Sequence, residues 1–429
     1  MSQDTYRKMK DSGIPWIGKI PSDWSFDMIG NLYTLRNEKV SDKDYPPLSV
    51  GKMGVVPQLE TAAKTDDGDN RKLVRKGDFA INSRSDRRGS CGISEYDGSV
   101  SLINTIITPK CEMNPRYYNW FFHTETFADE FYRWGHGIVD DLWTTRWQEM
   151  KRISVVFPPL ATQQRIADFL DRKCAEIDEL VALQGTMIEE LKRYKQSLIT
   201  ETVTKGLDQH IPKKDSGVEW IGEIPEGWEV KRLKFVANLL LKGAGITKEE
   251  VIADGDTQCV RYGEIYSKYD YSFTKCDSAT KLEILPTTRY FRNGDILFAG
   301  TGELVEEIGK NIVYMGADTC LAGGDIIILN HNQNPMFLNF ALRSKYAQEQ
   351  KSKGKAKLKV VHISASEIGN ILVALPPLSE QQKIADYLDR KCAEIDELIA
   401  IKQQKIEALK EYKKSVIFEY VTGKKEVEE

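Results

Sequence analysis

Apolar and polar residues follow two rhythms along the chain. From Ile166 the positions Ile166, Leu170, Lys173, Ile177, Leu180, Gln184, Met187, Leu191, Tyr194 and Leu198 alternate steps of four and three. The rhythm returns at Ile384, Leu388, Lys391, Ile395, Leu398, Lys402, Lys405, Leu409, Tyr412 and Val416. A seam sustained over so many turns predicts two long helices of coiled-coil type. The lysines and the glutamine weaken that seam but can specify its register. Pro-Pro precedes each helix, and Ser379 with Gln382 predicts a capping box at the second start, where the first copy has Ala161. Gly206 and Gly423 sit where the helices should end. Elsewhere short β-branched runs such as "ISVVFP", "GDILFAG" and "DIIILN" alternate with glycine turns, which predicts mixed α/β blocks. One helix is expected in each block. In the first it carries Tyr118, Phe121, Phe122, Phe131 and Tyr132 on one face, a stripe that reads as domain core.

The helices are two copies of one text. Residues 157–206 align with 375–424 without a gap, and roughly thirty of fifty positions are identical, far beyond chance. A second duplication precedes each block: "KDSGIPWIGKIPSDW" from Lys10 returns as "KDSGVEWIGEIPEGW" from Lys214. Between these fixed pieces the match is faint, as in "KGDFAINS" at Lys76 against "NGDILFAG" at Asn293, or "NPRYYNWFF" at Asn114 against "NPMFLNFAL" at Asn334. The chain therefore divides into 1–156, 157–206, 207–374 and 375–429: element and variable domain, long helix, linker with element and second variable domain, long helix. Equivalent surfaces of a repeat meet about a pseudo-twofold axis, so the helices are expected to pair antiparallel between two globular domains. The alternative is two separate helices, each packed on its own domain.

Composition narrows the class. With 429 residues, 41% hydrophobic and 29% charged, the chain has the make-up of a soluble multidomain protein. No apolar run is long enough to span a bilayer, and the polar N-terminus lacks the apolar core of a signal peptide. The seven cysteines show no CxxC spacing, and Cys174 and Cys392 are one repeat position, which points to reduced thiols in the cytoplasm. A net charge of −4 excludes a general polycation, so nucleic-acid binding would have to come from local patches.

Signs of catalysis are poor. "GTGELVEEIGK" at Gly300 has the wrong spacing for a phosphate-binding loop and no hydroxyl after the lysine. "NPRY" at Asn114 is similar to the Asn-Pro-Pro-Tyr loop with which amino-methyltransferases hold a flipped base. Arg116 replaces its second proline, however, and the other half has "NPMF", so helix initiation explains both copies better. Five scattered histidines form no metal-ligand pattern, and carboxylate pairs such as Glu306-Glu307 read as solvated loop charges. The chain reads as non-catalytic.

Basic patches carry more information. "RKLVRKGDFAINSRSDRRGS" from Arg71 holds seven Arg or Lys against two Asp, and its "NSRSDRRGS" offers arginine forks, hydroxyls and an amide on one loop. A solvated charged loop is the alternative. In the second half "KSKGKAKLK" from Lys351 would, if extended, project every lysine from one face with no compensating acid. The counterpart "RWGHGIVDDLWTTR" from Arg133 keeps the glycines but is less basic. "SVGKMG" at Ser49 and "VRYGEI" at Val260 look equivalent and bring in Lys52, Arg261 and Tyr262.

A proline pair, "EQ", an isoleucine and a heptad helix, doubled in one chain and each preceded by "SGxxWIGxIPxxW", resemble the specificity subunit of type I restriction–modification systems; Glu380-Gln381 fits the pattern and the first copy departs from it with Thr162-Gln163. The resemblance covers essentially the whole chain. It implies two target-recognition domains, each reading one half of a split, asymmetric double-stranded DNA site, spaced by the antiparallel helices. It also implies two methyltransferase subunits docked on those helices, with restriction subunits joining for cleavage. S-adenosylmethionine would be bound by the methyltransferase, ATP and Mg by the restriction subunit, and no cofactor by this chain. The residues expected to face DNA are Lys52, Ser83, Arg84, Arg87, Arg88, Arg133, His136, Arg261, Tyr262, Thr301, Lys353, Lys355 and Lys357. Two other classes compete. One is a non-catalytic coiled-coil scaffold whose side domains bind protein, and the other is a self-contained methyltransferase, which the missing cofactor motifs disfavour.

Overall fold

The computed structural model describes residues 8–58, 67–84, 87–137, 143–282, 289–355 and 360–427. Two compact units emerge, Met1–Gly185 with Gln404–Glu429, and Thr186–Gln403. The division differs from the sequence boundaries in cutting both long helices. Each unit joins one variable block to half of either helix, because each half-helix buries its apolar stripe against the block beside it.

The first long helix runs Leu160–Lys205 and the second Leu378–Val421. Gly206 and Gly423 close them with φ of +75° and +71°, a region that disfavours any side chain. The capping box expected at Ser379 does not form the start. The helix already includes Leu378, and Pro377 offers the first carbonyl, to the Glu380 and Gln381 N–H groups. Proline fits there because it has no N–H to leave unpaired.

In the first unit, Asp178 pairs with Lys413, and the rings of Phe169 and Tyr420 lie 4.3 Å apart. In the second, Lys195 pairs with Asp396, and the Lys402 amine donates to Met187 at 3.3 Å. As numbers rise along one helix they fall along the other, so the helices pack antiparallel, as the repeat implied. The seam itself needs correction. Ile166, Leu170, Ile177, Ile384, Leu388, Ile395 and Val416 are buried, and Leu191, Leu198 and Leu409 are half-buried. Leu180 and Leu398, however, are 43% and 47% exposed. The column alternating with Leu170 and Ile177 lies one residue later than expected: Cys174 and Ile188 are buried, with Val181 and Lys195 half-buried. Cys392, Ile399, Ile406 and Lys413 repeat it in the second helix. Both columns are apolar enough to read as a stripe, and packing selects the one that keeps Lys173 and Lys391 at the margin.

The variable block of the first unit holds an all-antiparallel four-stranded sheet, Cys91–Ile93, Phe79–Asn82, Asn104–Pro109 and Tyr33–Arg36 in spatial order. The second unit answers with a five-stranded sheet ordered Ala237–Lys242, Ile326–His331, Ile296–Ala299, Asn311–Tyr314 and Ser272–Phe273. Each central strand is buried on both faces, which explains the continuous apolar runs in the sequence. Where one helix was expected beside each sheet, two successive helices stand, Pro115–Phe122 and Glu125–Arg133, then Pro335–Arg343 and Lys345–Ser352, and shorter ones such as Trp147–Met150 and Tyr262–Ser267 add to them. The break falls at Thr124, whose hydroxyl accepts the Phe127 N–H and starts the new helix, and at Ser344, whose hydroxyl instead donates back to Ala341 O. Tyr118, Phe121, Phe122 and Phe131 are buried in the first unit's core, as read from the sequence, while Tyr132 is half-buried.

The repeated short element is a hairpin, Met9–Asp11 with Lys19–Pro21 and Lys213–Asp215 with Glu223–Pro225. Its proline and tryptophan pack on a helix end. A Cβ at Gly423 would lie 2.5 Å from Pro21 Cδ, and one at Gly206 would lie 3.3 Å from the Trp228 ring. The element is thus a cap for the C-terminus of a long helix, once in each unit.

Candidate nucleic-acid interface

Each variable block meets its long helix through an equivalent polar knot. Asn114 caps the helix Pro115–Phe122 by accepting the Tyr117 N–H at 3.1 Å, while its own N–H donates to Gln163 Oε1 at 2.8 Å. Asn334 caps Pro335–Arg343 in the same way, and its N–H donates to Gln381 Oε1 at 2.9 Å. The Asn-Pro motifs therefore start helices and hold the repeated glutamines Gln163 and Gln381, as the sequence reading preferred over a base-gripping loop.

That anchoring gives the two blocks a common frame for the loops beyond the central strands. Thr145 N–H donates to Ser83 O, and Ile363 N–H donates to Gly300 O. Short antiparallel bridges follow, Arg84 with Thr144 in the first unit and Thr301 with His362 in the second. Arg84 and Thr301 thus occupy the same backbone position, reached from the same strand. Around Arg84 stand exposed His136, itself bridged to Thr144, and Arg87 and Arg88. Arg88 is ion-paired with Asp129, and Arg133 with Glu130. At Thr301 the hydroxyl lies 3.0 Å from His362 Nδ1 on an exposed surface. Thr144 and His362 were missed by sequence reasoning, since a single polar residue inside a loop gives no signal until its strand partner is known.

The second unit adds a cleft of about 260 Å³ beside Arg261 and Tyr262, also lined by Lys242, Thr247 and Asp325. It exists because two glycine loops lie face to face. A Cβ on Gly243 would fall 2.2 Å from Gly323 O, and one on Gly324 would fall 3.2 Å from Gly245 Cα. The doublets "GAG" and "AGG" were the available sequence signal for Lys242 and Thr247. The Arg261 N–H donates to Glu264 Oε2 at 2.8 Å at the start of the helix Tyr262–Ser267, and Tyr262 is exposed. Lys52 sits exposed at the tip of the hairpin Leu48–Gly51 and Gly54–Pro57. The two stretches taken as equivalent begin alike. Pro47 bridges Ser99 in parallel, and Thr257–Val260 pairs in parallel with Cys320–Ala322. They then diverge, one turning back as a hairpin and the other entering a helix.

Several residues expected to face DNA are buried instead. Ser83 is buried, with its hydroxyl 2.9 Å from that of Thr105. In the same run Arg71 is buried against Ser99, the Lys72 amine donates to Asn104 O, and Arg75 and Lys76 pair with Asp97 and Glu95 on another turn, which leaves Arg84, Arg87 and Arg88 on the loop. The lysine run is not an extended, uncompensated face. Lys351 is buried inside the helix Lys345–Ser352, and Lys355 is buried against Glu367 Oε1 at 2.7 Å and His362 O at 2.6 Å. The helix turns Lys351 inward, and beyond its end a turn at Gly354, with φ of +77°, precedes the inward Lys355. Lys353 is exposed, and Lys357 lies outside the described residues.

The profile of the type I restriction modification DNA specificity domain matches residues 225–411. The type I restriction enzyme MjaVIII specificity subunit of Methanocaldococcus jannaschii is 28% identical over 283 residues, 64% of this chain. The match spans 62% of that relative's length, somewhat under two thirds. A putative MjaX specificity subunit of the same organism is 23% identical over 440 residues, 95% of both chains. Among solved structures, a chain from a study of complex assembly and conformational transition of the type I R-M system superposes with a TM-score of 0.71 at 15% identity, covering 94% of this chain and 98% of that one. The HsdS subunit from Thermoanaerobacter tengcongensis gives 0.54 at 17% identity, with the same coverage. These superpositions establish a shared fold. With its duplicated helices and two α/β blocks, the chain is similar to the specificity subunits of type I restriction–modification systems. Among the described residues no helix is long and apolar enough to cross a membrane.

Proposed function

We propose that the chain reads a bipartite, asymmetric site on duplex DNA, one half with each variable block, and works in the cytoplasm. The observation that carries this reading is the shared bridge beyond the central strand, dressed with Arg84, Thr144 and His136 in one block and with Thr301 and His362 in the other. Equal frames with unequal hydrogen-bonding groups suit the reading of two different half-sites. Arg87 and Lys353 supply phosphate contacts, and Arg261, Tyr262 and Lys242 extend the surface of the second block.

The long helices then dock two like methyltransferase subunits, and restriction subunits join through them. Exposed apolar residues recur at repeat-equivalent positions, Leu180 with Leu398, Leu183 with Ile401 and Tyr194 with Tyr412. Large apolar side chains left in water on a helix face suit a partner helix. S-adenosylmethionine belongs to the methyltransferase, and ATP and Mg to the restriction subunit.

The test is a methylation map of DNA from cells expressing the chain with its cognate methyltransferase, beside a chain whose residues 25–150 come from another reading block. A split motif of which one half changes supports the reading. A motif indifferent to the exchange leaves the chain a scaffold and moves recognition to the methyltransferase.

A further inference from the structure

Between the second block's helices and the loop 305–310 lies a cleft of about 430 Å³, lined by Gln196, Lys310, Arg343, Lys345, Lys351 and, at its rim, Glu306 and Glu307. Its floor is unusual for a protein interior. The Lys351 amine is buried and donates only to neutral acceptors, Asn311 Oδ1 and Leu342 O, each at 2.7 Å. Gly309 makes room for that side chain, since a Cβ there would stand 3.1 Å from Lys351 Cδ. Lys310 likewise donates to two carbonyls, Tyr266 O at 3.3 Å and Tyr269 O at 3.2 Å. Among the described residues no carboxylate is hydrogen-bonded to either amine. Arg343 adds a third cation, held by Asp270 and stacked 4.0 Å from the centre of the Tyr271 ring.

A buried ammonium without a counter-charge is costly, and a protein ordinarily supplies a carboxylate. Here the missing negative charge has an open cleft leading to it. We propose that this cleft binds a small phosphate-bearing molecule, with Lys351, Lys310 and Arg343 on the anionic group and Lys345 at the entrance. A cleft of this volume holds more than a monatomic ion, and amines and a guanidinium together match phosphate oxygens. Glu306 and Glu307, exposed on the rim, keep the entrance from attracting anions indiscriminately. Burial, with Arg343 alongside, pushes the Lys351 amine well below its ordinary pKa, and a bound anion reverses that push. Binding should therefore draw in a proton and strengthen as pH falls. The charged groups facing Lys351 are Arg343, Lys310, Lys345, Glu306 and Glu307, and the carboxylates add to the same trend only in acid.

The site depends on neither DNA reading nor partner docking, so its test is separate from theirs. Inorganic pyrophosphate is titrated into the full chain by calorimetry. Sulfate, whose charge is fixed through the neutral range, serves in buffers of different ionisation heat. Saturable binding with proton uptake is expected, weakened roughly tenfold or more by Lys351→Met. Lys345→Gln, at an exposed position where folding is not at stake, should weaken it several-fold. Indifference to duplex DNA is expected, and competition by duplex DNA would overturn a small-molecule ligand in favour of a nucleic-acid backbone. No saturable heat, or binding untouched by Lys345→Gln, would overturn the site.

Discussion

The Lys195 amine lies 2.6 Å from the Asp396 carboxylate, and Lys413 meets Asp178 at the same distance, the same two repeat positions with the helices exchanging roles. Lys195 is mostly buried and also stands over the Tyr271 ring, whereas the Lys413 pair is more open. Solvent screening should make the two pairs unequal in worth. A double-mutant cycle on Lys195→Met and Asp396→Asn is expected to give a coupling of about 1 kcal/mol in urea unfolding, and the Lys413 and Asp178 cycle about half that. Equal couplings would mean that burial of Lys195 does not govern the interaction.

Asn114 separates a structural role from a base-gripping one. Its side chain caps a helix and its N–H holds Gln163, so Asn114→Ala should cost about 1–2 kcal/mol of stability. Methylation by the assembled complex, measured where the variant is fully folded, should be unchanged. Loss of methylation at unchanged stability would restore the flipped-base reading.

His331 predicts acid sensitivity. Burial lowers its imidazole from 6.5 to about 4, and its Nδ1 accepts the Gln333 N–H at 3.1 Å, a bond that protonation must break. The unfolded chain therefore binds a proton that the folded chain refuses. The stabilisation is complete above about pH 6.5 and is lost as pH falls towards 4, on the order of 3 kcal/mol in all. His331→Gln should flatten that part of the stability curve. A wild-type curve already flat there would show the ring to be solvated.

The repeat, the long helices, their antiparallel pairing and their glycine ends were legible because each rests on periodicity or on a residue with one conformational use. The seam was read one column out, since the column of Leu180 and that of Val181 are both apolar, and three-dimensional packing decides between them. The lysine run misled for a related reason. Charge in a sequence carries no direction, and only the helix Lys345–Ser352 shows that Lys351 points inward. The proposed reading surface was half legible. Arg84 announces itself in a basic loop, but Thr144 and His362 join it only through bridges between distant segments.

Those bridges make the two blocks separately testable. Arg84→Ala should relax one position of one half-site, a loss of about 1–3 kcal/mol against the preferred base, and leave the other half-site intact. His362→Ala should do the reverse. Lys355→Ala, by contrast, removes a buried partner of Glu367 and should lower stability without changing the salt dependence of DNA binding. Exposed Lys353→Ala should reduce that dependence by about one ion. A Lys355 variant with unaltered stability and a shallower salt slope would show that this amine leaves its pocket to meet phosphate.

Leu180 and Leu398 decide whether the helices carry two equivalent docking surfaces. Both are exposed, and both fall just outside the buried column, so a charge at either position costs the isolated chain little. Leu398→Glu should leave the thermal midpoint of the chain nearly unchanged while lowering the stoichiometry with the methyltransferase from two to one in native mass spectrometry. Leu180→Glu should do the same, and the double variant should bind none. If each single variant still took up two partners, the exposed column would not be the contact and docking would fall to the variable blocks. If either single variant lost both partners at once, the two surfaces would be coupled rather than repeated, and the duplication would serve cooperative assembly instead of two independent contacts.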